Sequence, residues 1–170
     1  SLNNCHPFHR RWQGQEWIFA HNGDLKGTIG ASPSFPTEGN TDSEAAFCSI
    51  LQQLEDQAID GQDEDRIFEH LWHQSQYFAT LGTFNCLISN GQWLFAHATS
   101  KLHRITRRSP FQRATLADAD LSIDFSEHTD ATDVVTVVST EPLTRDEVWT
   151  PIGIREAVLL KGGEIVRHRT

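Results

Sequence analysis

The sequence predicts a layered α+β fold of the α-β-β-α kind, and three observations predict it. Two amphipathic helical segments follow one another between residues 41 and 78. Strand-like segments then fill most of the chain after Phe84. Several of these are apolar without clean alternation, which calls for a sheet covered on both faces. At 170 residues the chain is long enough for one domain with a real core, and no repeat or low-complexity linker divides it.

Trp17-Ile18-Phe19-Ala20 reads as a buried strand that stops at His21-Asn22-Gly23. Residues 26–40 are rich in Gly, Pro, Ser and Thr and read as a long loop. Thr41-Asp42-Ser43-Glu44 matches a capping box, with Thr41 as N-cap and Glu44 three residues on. Behind it Ala46, Phe47, Ile50, Leu51 and Leu54 keep a helical period, until residues 57–63 break it. A second helix carries Ile67, Phe68, Leu71, Trp72 and Phe78 on one face. Phe84–Ser89 and Trp93–Ala98 flank Asn90-Gly91 as a hairpin, and Leu102–Thr106 adds a strand. Val134–Val138 is a β-branched run, and Gly162-Gly163 joins Ala157–Leu160 to Glu164–Val166 in a second hairpin.

Composition narrows the function. Lys plus Arg is 14 against 23 Asp plus Glu, a net charge of −9. Nucleic acid and anionic membranes need a basic face, so neither is expected as a main partner. Only Glu55 to Glu69 is densely acidic, and it reads as a solvated helix face and loop. No apolar stretch approaches eighteen residues and no signal-peptide pattern is present, so no membrane span is expected. Cys5, Cys48 and Cys86 are odd in number and widely spaced, which fits neither a disulfide framework nor a zinc site and points to a reducing cytoplasm. The closest histidine pairs, His6/His9 and His70/His73, lack further ligands, so no metal and no cofactor is expected. No Walker-type phosphate loop appears. The chain lacks methionine and begins Ser1-Leu2-Asn3, which reads as a processed or truncated product.

Three short stretches can carry chemistry. Asn22-Gly23 is either a strand-ending turn or a pair of fixed donors, an amide side chain and an unhindered backbone N–H, facing developing negative charge. Asp42, at the first helical position, is either an ordinary dipole-stabilised helix start or a carboxylate for a substrate ammonium. Cys5-His6 looks like a nucleophile with its base, but Pro7 holds His6 extended, and neighbours in an extended segment point to opposite faces. Cys5 is therefore read as a packed thiol.

Taken in order, Asn4-x-His6-Pro7, His21-Asn22-Gly23 and Thr41-Asp42-Ser43-Glu44 resemble the class II, N-terminal-nucleophile (Ntn) glutamine amidotransferase domain. The stretches 83–97, 105–111 and 133–144 are similar to its stand-alone bacterial members, and the resemblance runs from residue 2 to about residue 166. It implies a four-layer Ntn-hydrolase-like α-β-β-α sandwich that hydrolyses the glutamine side-chain amide to glutamate and ammonia. It also implies that Asn22 and Gly23 form the oxyanion hole, that Asp42 beside Thr41 binds the α-ammonium of the substrate, and that His6 and His21 support the site. In the family the nucleophile is a cysteine at the mature N-terminus with its own amino group as base. An Arg-bearing strand before the Asn-x-His-Pro stretch holds the substrate carboxylate.

Neither feature matches a residue of this chain. Ser1 stands only three positions before the motif, so it does not replace the nucleophile by position. The expectation is one truncated domain over residues 1–170 whose N-terminal part is missing, which would open sheet edges and expose apolar faces. The expected partners are glutamine or a γ-glutamyl substrate, the upstream segment, a separate ammonia-accepting enzyme and a second copy in a homo-oligomer. Two alternatives remain: a γ-glutamyl peptide hydrolase on the same site, and a non-catalytic module that binds an amino acid or a partner.

Overall fold

The structure, a computed structural model, describes residues 2–170; Ser1 and the reading attached to it lie outside the described residues. After a 3-10 turn at Leu2–Asn4 come β1 (Phe8–Trp12), β2 (Gln15–Asn22), α1 (Asp42–Asp56) and α2 (Glu64–Leu81). They are followed by β3 (Asn85–Ser89), β4 (Leu94–His97), β5 (His103–Arg108), β6 (Arg113–Thr115), β7 (Ser122–Asp124), β8 (Val134–Ser139), β9 (Thr150–Pro151), β10 (Ala157–Lys161) and β11 (Glu164–Arg169). The main sheet has six strands in the order β1-β2-β3-β4-β10-β11, every neighbouring pair antiparallel. A three-stranded sheet, β8-β5-β9, and a ribbon, β6-β7, complete the strands.

The expected α+β class is found, and its core explains the layering. On one face of the main sheet, Trp17 and Phe19 of β2, Ile88 of β3, Phe95 of β4 and Leu159 of β10 meet Phe47, Ile50 and Leu51 of α1 and Ile67, Leu71 and Phe78 of α2. Each such side chain, taken fully out of water, contributes about 1.5–3 kcal/mol. On the other face Ala96, Val158 and Leu160 pack with Leu102, Val138 and Ile152 from the smaller sheet and its flanks. The central strands are therefore buried on both sides, as their unbroken apolar runs require. The described residues form helices on sheet on sheet.

Several expectations need correction. Trp17–Ala20 is not buried throughout: Trp17 and Phe19 face the helices, whereas Ile18 is 45% exposed on the opposite face. A strand next to the sheet margin alternates, and only the central strands of the six-stranded sheet, covered on both faces, escape that rule. Cys5 is exposed rather than packed, because it follows the 3-10 turn, donating its N–H to the Leu2 carbonyl at 3.1 Å, before β1 begins. β1, β6, β7 and β9 were not expected. The acidic stretch does not only face water: Glu64, Asp65 and Glu69 of α2 pair with Lys161, Arg167 and Arg169 of the β10–β11 hairpin at 2.5, 2.5 and 2.8 Å.

The capping box forms by half. Thr41 Oγ1 accepts the Glu44 N–H at 3.2 Å, so α1 starts at Asp42 as expected. The Glu44 carboxylate, 1% exposed, turns to the preceding loop, where it accepts the N–H groups of Glu38 and Gly39 at 2.8 Å each and pairs with Arg10 of β1. Burial pushes the Glu44 carboxyl up, but the two amides and the guanidinium outweigh it and hold it below its ordinary value.

Candidate active site

The end of β2 builds the site. The β2–β3 register pairs Asn22 with Asn85, and the chain then passes hard against residues 82–84. A side-chain carbon on Gly23 would lie 1.9 Å from the Thr83 carbonyl oxygen and 2.8 Å from His21 Nε2. Only glycine permits this approach. Strand alternation places the Asn22 side chain on the outer face with Ile18 and Ala20, and His21 on the helix side with Trp17 and Phe19.

His21 ties the strand end to the helix. Its Nε2 lies 3.0 Å from the Thr83 carbonyl, which only accepts, so Nε2 carries the proton. Its Nδ1 lies 2.8 Å from Ser43 Oγ, in the first turn of α1, and accepts from that hydroxyl. Burial lowers the His21 pKa, against the opposing pull of the Thr83 carbonyl, Asp42 and Asp24. Partial burial, with repulsion from His21, also lowers that of His6, and Asp42 opposes it. Both imidazoles are thus biased towards the neutral form.

Asp42 is held from two sides. Its Oδ2 accepts the Leu25 N–H at 2.7 Å and its Oδ1 accepts the Ser43 N–H at 2.8 Å. Each carboxylate oxygen keeps accepting capacity beyond these bonds. With the positive end of α1 behind it, the group is a fixed anion suited to an ammonium.

The structure brings the expected residues together in two groups. His6, His21 and Asn22 line a cavity of about 190 Å³ with Asn85, Ser139 and Thr140. Thr41 and Asp42 line a neighbouring space of about 330 Å³ with Gly27, Thr37 and Asn40. The two are joined around the strand end by the His21–Ser43 and Leu25–Asp42 hydrogen bonds. Reasoning from sequence missed Ser43, Asn85, Ser139 and Thr140. Asn85, an amide inside the apolar run Phe84–Ile88, was the one visible signal, since a buried polar group must be satisfied. Cys48 and Cys86 lie in the helix-side core, and burial pushes the Cys86 thiol up to about 12, so that group is no nucleophile at neutral pH. Among the described residues no group of three or more His, Cys, Asp or Glu is placed to hold a metal, and no helix is long and apolar enough to cross a membrane.

Comparison with known proteins gives these features a family. The class II glutamine amidotransferases match the chain over residues 1–170. The chain is 41% identical over 165 residues to a “Putative glutamine amidotransferase” of Haemophilus influenzae, covering 96% of this chain and 56% of the relative. It is 41% identical over 155 residues to a protein of the same description in Escherichia coli, covering 89% and 60%. A crystal structure of a “predicted glutamine amidotransferase” from Pseudomonas aeruginosa superposes with a TM-score of 0.89 at 43% identity, over 98% of this chain and 66% of that one. The chain thus spans less than two thirds of the length of these relatives. A class II domain protein from Silicibacter pomeroyi shares the fold at a TM-score of 0.52 and 21% identity. On the match along its whole length, the chain belongs to the class II glutamine amidotransferases.

Proposed function

We propose that this chain supplies the oxyanion-binding and amino-acid-binding half of a site that hydrolyses the side-chain amide of glutamine. The observation that carries the proposal is the end of β2, where Asn22 opens into the cavity beside His6 and Gly23 packs bare against Thr83. The nucleophile is an N-terminal cysteine from outside these residues. Its thiolate attacks the amide carbon of glutamine, forming the C–S bond while the carbonyl electron pair moves onto oxygen. The Asn22 side-chain N–H and the Gly23 N–H donate to that oxyanion. Collapse breaks the C–N bond, and nitrogen leaves as ammonia with a proton from the cysteine's amino group; water then cleaves the thioester to glutamate. Asp42 pairs with the α-ammonium, with Thr41 beside it, and neutral His21 locks the strand end to α1 without taking a proton in the reaction.

The same reading accounts for the sheet. Pro7, Ile18, Ala20, Leu87 and Leu94 border an apolar hollow on the outer face, and of these Leu87 and Leu94 also pack against the cluster of Ala96, Leu102 and Val158. In a four-layer α-β-β-α sandwich the first strands of the domain cover this face, with a second helical layer outside them. A separate enzyme consumes the ammonia.

The test is turnover by the protein made from its complete reading frame. Release of ammonia and glutamate from glutamine is expected, with a panel of γ-glutamyl peptides ranked against it by kcat/KM. Glutamine binding without turnover of any compound would leave a binding module instead.

A further inference from the structure

Asn85 is 4% exposed and spends its whole hydrogen-bonding capacity around the proposed oxyanion hole. Its Nδ2 donates to the Asn22 carbonyl oxygen at 3.0 Å and to Ser100 Oγ at 2.9 Å. Its Oδ1 accepts the N–H groups of Thr99 at 2.9 Å and Ser100 at 3.0 Å. An Asn side chain has two donor hydrogens and two acceptor sites, and all four are used. Thr99 in turn accepts the Phe84 N–H at 2.7 Å through Oγ1, so the loop after β4 is fastened to the start of β3 by the same cluster.

The consequence lies in one peptide plane. The Asn22 carbonyl and the Gly23 N–H belong to the same planar peptide and, in the trans form, point in opposite directions. A donor fixed on one edge therefore fixes the direction of the other. Gly23 carries no side chain of its own to resist rotation. We propose that Asn85 is a positioning residue that aims the Gly23 N–H into the oxyanion hole by holding the opposite edge of the Asn22–Gly23 peptide. This rests on the reading of Asn22 and Gly23 as oxyanion donors.

The experiment has two arms, both on the protein made from its complete reading frame. In the unsubstituted protein, a scalar coupling across the hydrogen bond from the Asn85 side-chain nitrogen to the Asn22 carbonyl carbon is expected by NMR, and its absence overturns the proposal. In the second arm, Asn85→Asp keeps acceptors for Thr99 and Ser100 but loses the donor to Asn22, whereas Asn85→Ala loses both. Both variants are expected to rotate the Gly23 N–H vector, read from residual dipolar couplings. Both are expected to lower kcat about 10- to 100-fold with KM near its original value, the scale of a small misplacement of a reacting group. Ser100→Ala, which leaves the Asn22 contact in place, is expected to change neither. Wild-type kcat and an unmoved Gly23 vector in Asn85→Asp would overturn the proposal. Failure of the parent reading looks different: the unsubstituted protein then turns over no glutamine, while the coupling and the Gly23 vector still test the positioning.

Discussion

Replacing Glu44 tests how the chain holds the front of α1. The side chain is 1% exposed and serves three donors: the Glu38 and Gly39 amides at 2.8 Å and the Arg10 guanidinium, itself only 14% exposed. Glu44→Ala takes from a largely buried cation its near carboxylate, leaving Arg10 with exposed Glu38 at 3.7 Å and the His9 and Pro36 carbonyls, and it leaves two amides short of an acceptor. Breaking a buried pair from one side costs about 3–5 kcal/mol; the partners Arg10 keeps lower its share, and the two stranded amides are counted within that range rather than added to it. Against a total stability of about 5–15 kcal/mol, this is a large fraction. At about 2–4 °C per kcal/mol for a domain of this size, the melting temperature falls by about 6–20 °C. Glu44→Gln keeps one acceptor and loses less. The pH dependence has a definite sign. The folded carboxyl sits below its unfolded value, so Glu44 stabilises the protein above the unfolded pKa of 4.5, and that contribution is lost as pH falls through the lowered folded value. Urea unfolding of both variants from pH 7 to pH 3 is the assay. A loss under about 1 kcal/mol at pH 7, the range of an exposed pair, would show that Glu44 does not hold the start of α1.

Three further outcomes follow from the same geometry. On the proposed pairing of Asp42 with the substrate ammonium, Asp42→Asn raises KM for glutamine about tenfold or more while kcat changes less, measured by initial rates. Gly23→Ala drives a carbon to 1.9 Å from the Thr83 oxygen, and the strand end must shift; thermal denaturation is expected to show about 1–3 kcal/mol lost, together with turnover. His97 is fully buried, donates from Nδ1 to the Phe84 carbonyl at 3.1 Å, and has its pKa pushed down to about 4 by burial. It binds a proton more readily when unfolded, so stability falls as pH drops from 6.5 towards 4, and His97→Gln flattens that slope in denaturant titrations.

Local chemistry was legible in the sequence where one residue dictates one geometry. Thr41 and Asp42 announced the start of α1, Asn90-Gly91 and Gly162-Gly163 announced their hairpins, and the β-branched run at 134–138 announced β8. What failed to show was set by partners far along the chain. Glu44 satisfies the capping pattern, but its carboxylate is claimed by Arg10, 34 residues earlier. Phe8–Trp12 reads as charged and mixed, yet becomes a strand because β2 offers it an edge and Phe8 and Trp12 reach the core. The short β6 and β9 lack any pattern long enough to see. At the site, Asn22, Gly23 and Asp42 were singled out by residue type and order. Asn85 was not, because its role depends on a strand register that residue types alone do not reveal.

The turnover of Asn22→Ala, in the protein made from its complete reading frame, tests the oxyanion role of Asn22 most directly. Loss of one oxyanion donor predicts a fall in kcat of about 10²–10³ with KM for glutamine little changed. An Asn22→Ala protein that hydrolyses glutamine at the unsubstituted rate would contradict the account, and the end of β2 would then be a turn and nothing more.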